Sequence, residues 1–427
     1  MPHKQRKKMK TFRIQNPLMA FAATLLLTAC VNDSTDFLTL LNIDEQLRTV
    51  EIKSIEFNTE PYDTPEDASA IPADDNDYVE NSTFESTIYI DYSDDNATVS
   101  GDISDVNITM VGAHVIVVSH TKNVSYVLSG STSNGSFKIY SKNKFMLTLN
   151  GVDITNPTGA AINNQGEFGA GGVGTKTMYV VLPEGTVNTL TDGSVYVFSG
   201  GEQMKGTFFS EGQVVFSGAG SLTVNGNYKN GIASDDYVKF RPGVNIAVNC
   251  TAASGHGVKA NDGIYILGGT LNIGVAGSAA KGMNSEARIY IEGGRTTVIT
   301  TGDPLVELTD TSSCAGLKSD STLYVYGGIV NLKSTGEGGK GVNVTEGLVM
   351  AGGELNVVTT GIKDNSSPKG IKCGKDDSFL PGDMTVSGGS IYCYSANSDA
   401  LDIKGTRTIA ENYLLLNETD NFFELRY

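Results

Sequence analysis

From Gly257 onward, apolar and polar residues alternate in short runs that are punctuated by glycine. Gly257–Ile273 reads GVKANDGIYILGGTLNI, and Lys281–Val298 reads KGMNSEARIYIEGGRTTV. The pattern returns as GLKSDSTLYVYGGIVNL at Gly316–Leu332 and KGVNVTEGLVMAGGELNV at Lys340–Val357, with a weaker copy, MTVSGGSIYC, at Met384–Cys393. Each copy predicts three short strands, in the first case Val258–Ala260, Ile264–Ile266 and Leu271–Ile273. Apolar residues recur at every second position, which is strand period; no segment of helical length carries the 3.6-residue period. Gly268-Gly269 marks the bend between the second and third strands, because glycine tolerates backbone angles that other residues resist.

The glycines Gly231, Gly257, Gly282, Gly316 and Gly341 are separated by 26, 25, 34 and 25 residues. A fixed period of this size is the mark of a stacked repeat. Three strands per turn of about 25 residues, without helices between them, predict an all-β right-handed parallel β-helix, the hand following the general preference of parallel crossovers. One repeat cannot bury its apolar face alone, so its neighbours must complete the core. Stacking places Val258, Met283, Leu317, Val342 and Ile371 in one inward column, and Ile273, Val298, Leu332, Val357 and Cys393 in another. The longer intervals predict loops at Asp303–Ser312, Lys363–Pro368 and Asp376–Gly382. The first half is a looser version, with strands at Val115–Val118, Phe145–Leu149, Met178–Leu182 and Ser221–Val224.

The first residues change the picture. Lys4, Arg6, Lys7, Lys8, Lys10 and Arg13 precede an apolar run, Leu18–Thr28, too short to span a bilayer. The run ends Leu27-Thr28-Ala29-Cys30, which resembles a bacterial lipobox and implies cleavage before Cys30 and lipidation of its thiol. Asp33 and Asp36 follow, which resembles surface-exposed lipoproteins of the Bacteroidetes type. Three segments are therefore expected: a leader at 1–29, an acidic tether at 30–86 and a β-helix at 87–427. Removing the six basic leader residues from a formal charge of −17 leaves −23. No Lys or Arg occurs between Lys53 and Lys122, and Pro61, Pro65 and Pro72 suit an extended tether. This charge excludes nucleic acid as a partner. A monomer is expected, in the cell envelope at the outer membrane. Cys373 and Cys393 fall in inward columns as small hydrophobes; Cys250 and Cys314 sit near turns, a structural disulfide stays open as an alternative, and no metal-ligand spacing links the four.

From about Thr87 to Ile409 the chain resembles carbohydrate-binding parallel β-helix proteins, related in fold to polysaccharide lyases. Their best-known type is a cell-surface protein that binds cellulose and pectin. The matching phrases are YVLSGSTSNG (Tyr126–Gly135), LTLNGVDITNPTGAAI (Leu147–Ile162), LPEGTVNTLTDG (Leu182–Gly193) and GAGSLTVNGNYKNGIASDDYVKF (Gly218–Phe240), followed by the repeats above. The resemblance implies glycan binding, calcium as an ion and no established catalysis. Repeats in that family often begin Asp-Gly, and those aspartates are associated with calcium. Here the equivalent positions hold Asn230, His256, Lys281, Ala315, Lys340 and Lys369, which departs from the family's calcium pattern.

Three outward stripes are candidates for function. His256, Lys281, Lys340 and Lys369 precede the glycines, and Lys259, Lys318 and Lys372 point outward from the first strand; cations on an acidic protein suit an anionic glycan. They are equally compatible with a solvated turn. Asp235, Asn261, Glu286 and Asp320 share one position, with Asp236 and Asp262 beside them. Stacked carboxylates suit Ca²⁺, with Asp235, Asp236, Asp262 and Asp320 the expected metal residues, or simply cap turns. Tyr265, Tyr290 and Tyr324 form a ladder on the second strand, either a platform for sugar rings or mutual packing.

One pairing raises catalysis. Gly255-His256-Gly257, with Asp235-Asp236 twenty residues upstream, resembles two motifs of inverting polygalacturonases, which need carboxylates about 6.5–9.5 Å apart. The family's Asn-Thr-Asp and Arg-Ile-Lys motifs are missing, so no catalytic residue is assigned. The expected function is non-catalytic polysaccharide binding, of acidic (pectin-like) or cellulosic glycans, by a protein held to the membrane through Cys30. The alternatives are a lyase or hydrolase on the same fold, and a structural or adhesive surface protein.

Overall fold

A computed structural model describes residues 52–58, 60, 77–166, 177–198, 202–308, 310–375 and 379–426. The leader, Cys30 and residues 61–76 of the expected tether lie outside them. The described chain is all-β, and its helical content among these residues is a 3-10 turn, Val79–Asn81.

Strand alternation sets the layers. In the first full copy the strands are His256–Ala260, Gly263–Ile266 and Thr270–Val275, each slightly longer than its apolar pattern predicts. Every strand pairs in parallel with its counterpart in the next copy rather than with its neighbour in sequence. First strands build a 12-stranded sheet; second and third strands share a 21-stranded sheet. The register joins Val258 to Met283, Leu317, Val342 and Ile371. It also joins Ile273 to Val298, Leu332, Val357 and Cys393. All ten residues are at most 1% exposed, and they belong to one continuous apolar core.

The bend between second and third strands needs glycine for its backbone angle. Gly269, Gly294, Gly328, Gly353 and Gly389 have φ of 81°, 72°, 75°, 75° and 83°, the left-handed region where a Cβ is disfavoured. The insertion at Asp303–Ser312 contains a small antiparallel hairpin, Leu305–Val306 with Thr311–Ser312. At the C-terminal end, Leu414–Glu418 and Phe422–Arg426 form an antiparallel hairpin that pairs with Asp383–Ser395. Antiparallel closure of this kind occupies a sheet edge that would otherwise template other chains. Cys250, Cys314, Cys373 and Cys393 are free and buried.

Parts of the expected tether lie on the sheets. Lys53 Nζ donates to Asn356 Oδ1 at 2.7 Å, and Asn272 Nδ2 donates to the Asn58 carbonyl at 3.1 Å. Further on, Asp77 forms an ion pair with Lys239, and Glu80 pairs with Arg241 at 2.8 Å.

Candidate functional site

The residue two after each glycine builds a continuous column on the first-strand sheet. Register aligns Lys259, Asn284, Lys318, Asn343 and Lys372 on successive rungs. Their sequence neighbours Val258 and Ala260 point inward and are buried, so strand alternation turns this column outward. All five side chains are half-buried. With rungs about 4.8 Å apart, lysines recur every ~9.6 Å with a carboxamide between them. Lys259 Nζ meets Glu286 Oε1 at 2.6 Å and Asn261 Oδ1 at 3.1 Å. Lys318 Nζ meets Asp320. The two carboxylates are 54% and 48% exposed while their lysines are 20% and 15% exposed, so the acidic partner of each pair faces solvent, where screening holds the net contribution to ~1 kcal/mol. A carboxylate or hydroxyl of a ligand can therefore take their place at small cost.

The residue before each glycine behaves differently. His256, Lys281, Ala315, Lys340 and Lys369 share a column as expected, but its middle is not an open cationic stripe. Lys281 and Lys340 are each 8% exposed. Lys281 Nζ donates to the Ala279 carbonyl at 2.5 Å and Ser312 Oγ at 3.1 Å. Lys340 Nζ donates to the Gly338 carbonyl at 3.1 Å. Burial pushes both amines down to about 8. Lys369 is paired with Asp399.

His256 is part of the backbone wiring. Its N–H donates to Asn230 Oδ1 at 2.9 Å, and its Nδ1 accepts the Lys281 N–H at 3.2 Å. An accepting Nδ1 requires a neutral ring, and burial together with Lys281 and Lys259 depresses its pKa to about 3. Asp235 and Asp236 follow the end of the Asn230–Ser234 strand, whereas His256 pairs near its beginning. Five strand residues separate them by about 16 Å, so the structure does not assemble the polygalacturonase-like pairing.

The expected metal residues are largely engaged. Asp235 is 2.6 Å from Lys205 Nζ, and Asp320 is paired with Lys318. Asp236 accepts the Tyr237 N–H at 2.8 Å, while burial and, to a lesser degree, the nearby Asp262 raise its pKa. Among the described residues no three His, Cys, Asp or Glu side chains converge to hold a metal ion. Two of the four carboxylates, Asp235 and Asp320, are taken by lysine, whereas Ca²⁺ takes 6–8 oxygens.

The tyrosines form a stack. Tyr265 and Tyr290 have centroids 5.1 Å apart and Tyr290 and Tyr324 4.7 Å, both with planes 9° from parallel. Tyr326 extends the stack at 5.9 Å, and Tyr237 meets Tyr265 edge-on. Each face of Tyr290 is thus covered by another ring, leaving edges and hydroxyls rather than an open platform for sugars.

Asn284 and Asn343 complete the column, although the outward stripe expected from sequence holds only its lysines. Their signal was present: the triplets GVK, GMN, GLK, GVN and GIK alternate lysine and asparagine at one position.

Residues 111–305 and 265–361 match the family of carbohydrate-binding domain-containing proteins. A carbohydrate-binding domain-containing protein of Acetivibrio thermocellus is 31% identical over 135 residues, which are 31% of this chain and 44% of that protein. The matched region therefore spans less than half of that relative's length. The solved structure of a polysaccharide lyase-like protein from C. thermocellum, a gadolinium derivative, is similar with a TM-score of 0.39 and 18% identity, covering 77% of this chain and 97% of that one.

Proposed function

The chain belongs to the family of carbohydrate-binding domain-containing proteins, and we propose that it binds an acidic polysaccharide without cleaving it. The observation that carries this reading is the outward column Lys259–Asn284–Lys318–Asn343–Lys372, aligned rung by rung. The sheets are read as a right-handed parallel β-helix, a fold that gives one face a constant repeat along its axis. A polymer of uniform sugar units meets such a face with the same groups again and again. Ammonium groups attract carboxylates, and carboxamides supply both a donor and an acceptor for hydroxyls.

The net charge of the chain opposes an anionic ligand, but its range is limited. The Debye length at physiological salt is about 8 Å, so contacts at the column outweigh charges on distant faces. The separation of His256 from Asp235 and Asp236 supports binding over hydrolysis. Lipidation at Cys30 would hold the protein at the outer membrane, with the β-helix presented to glycan. Calcium has no part in this reading.

The test is retention of the full chain, kept in detergent, on immobilised polygalacturonate. Retention without new reducing or unsaturated ends supports the reading. Release of such ends would replace it with a lyase or hydrolase, and absence of retention would favour an adhesive role.

A further inference from the structure

The outward face of the third strands carries a second polar column, and part of the chain already lies along it. Register aligns Asn272, Thr297, Asn331, Asn356 and Tyr392. Asn356 Nδ2 donates to Asn331 Oδ1 at 3.0 Å. No acidic or basic side chain interrupts this column, in contrast to the lysine column on the first-strand sheet.

Lys53–Asn58 lies along the column as an extended strap without regular secondary structure. At one end Lys53 Nζ donates to Asn356 Oδ1 at 2.7 Å, and the Lys53 N–H donates to the Tyr392 hydroxyl at 3.2 Å. At the other, Asn272 Nδ2 donates to the Asn58 carbonyl at 3.1 Å, and Thr270 Oγ1 to the Glu60 carbonyl at 3.3 Å. Five extended residues reach about 16 Å, and the three rungs from Asn356 to Asn272 span about 14 Å. The strap therefore runs along the stacking axis. Side chains hold it; it has joined no sheet. Gly274 leaves room beside it, since a Cβ there would stand 3.5 Å from the Phe57 ring.

The strap fits this face incompletely. Ile55 is 3% exposed, but Phe57 is 44% exposed, so little apolar area secures it. Asn272 and Thr297 are 5% and 0% exposed, yet Asn272 Oδ1 and Thr297 Oγ1 have no hydrogen-bond partner. Buried polar atoms without partners are rare and costly. A groove of about 690 Å³, lined in part by Lys53, Glu354 and Arg426, borders the Lys53 end.

We infer that the Asn272–Thr297–Asn331–Asn356–Tyr392 face is a second binding groove, for an uncharged hydroxyl-rich polysaccharide chain, and that Lys53–Asn58 occupies it as an internal stand-in. Such a chain presents donors and acceptors along its whole length, which would satisfy the two atoms the strap leaves unmet. The column itself offers only carboxamides and hydroxyls. Lys333, two residues after Asn331 on the same outward side, is paired with Glu56 of the strap at 3.6 Å. Hydrogen bonding along the column rather than charge would therefore hold a chain there. The inference rests on the polysaccharide-binding reading only for the class of ligand; the face itself is a different one.

Two measurements on the full chain in detergent test it, with soluble cello-oligosaccharide as the probe. Hydrogen exchange at the Lys53 N–H, which donates to the Tyr392 hydroxyl, is expected to accelerate about tenfold on adding the oligosaccharide to the natural chain. The variant Lys53→Ala plus Ile55→Asp, which frees the strap, is expected to bind the oligosaccharide about tenfold more tightly. A strap that stays protected while the oligosaccharide is bound, or absence of binding by both chains, overturns the inference. Unchanged affinity in the freed chain overturns it as well. Polygalacturonate retention measured on the same samples separates the two readings. Its absence beside strap release removes the acidic-glycan site alone, and its presence without strap release removes the second groove alone.

Discussion

Gly282 lies so close to Val298 that a Cβ added to it would stand 2.1 Å from Val298 Cγ1 and 2.6 Å from the Gly316 carbonyl oxygen. The same contact recurs at Gly257 against Ile273 at 2.3 Å and at Gly341 against Val357 at 2.1 Å. The recurring glycine exists for space, where the first strand meets the β-branched side chain of the third. Gly282→Ala is expected to lower stability by about 1–3 kcal/mol, the usual cost of overpacking. Gly274→Ala, whose Cβ would meet only ordinary contacts, should change it by less than ~0.5 kcal/mol. Urea unfolding midpoints of the two variants check this.

The repeat exposed the columns to sequence reasoning because strand period and a near-constant interval together fix which residues align. Val258 with Met283 and Tyr265 with Tyr290 were readable for that reason. The orientation of Lys281 and Lys340 was not. Strand alternation puts each of them on the same side as the inward Met283 and Val342 two residues on, but an amine at that position reads as a solvent-facing charge. Their ammonium groups are also enclosed with Ser312 and Ser366, residues of inserted segments whose course the repeat does not specify. Lys53, Ile55 and Phe57 alternate in EIKSIEFN, yet their partners are hundreds of residues away, and acidic surroundings made the stretch read as a tether.

His256 should make the fold acid-sensitive. Its pKa is about 3 in the folded chain against an ordinary 6.5. Below pH 6.5 the unfolded chain takes up a proton that the folded chain does not, so stability falls as pH drops from about 6.5 toward about 3. His256→Asn keeps an acceptor for the Lys281 N–H, as Asn230 does for His256, and removes the titration. Its melting temperature is expected to fall less between pH 7 and pH 4.5 than that of the natural chain.

Lys281 and Lys340 titrate in the opposite range. Their pKa values are about 8 when folded against an ordinary 10.5. Between those values the unfolded chain binds more protons, so their contribution raises stability as pH increases from about 8 to 10.5. Melting temperatures at pH 7.5 and 9.5 should show a more favourable alkaline change for the natural chain than for Lys281→Gln plus Lys340→Gln. Retention on polygalacturonate at pH 7 should be unchanged in that variant, because neither ammonium reaches the outer face.

Tyr290→Ala removes two stacked contacts, each worth about 0.5–1.5 kcal/mol beyond area burial. The expected result is a loss of roughly 1–2 kcal/mol in stability with glycan retention intact. A retention loss without a stability loss would assign the tyrosine edges to the ligand.

The lysine–asparagine column is tested most directly by the affinity of the full chain for a polygalacturonate oligomer, natural against Lys259→Ala plus Lys318→Ala plus Lys372→Ala. Three half-buried charge contacts at about 0.5–1 kcal/mol each correspond to roughly a 10–100-fold loss, with a shallower salt dependence in the variant and no new chain ends in either sample. Equal affinity of the two chains, or cleavage of the oligomer by the natural one, would contradict the account.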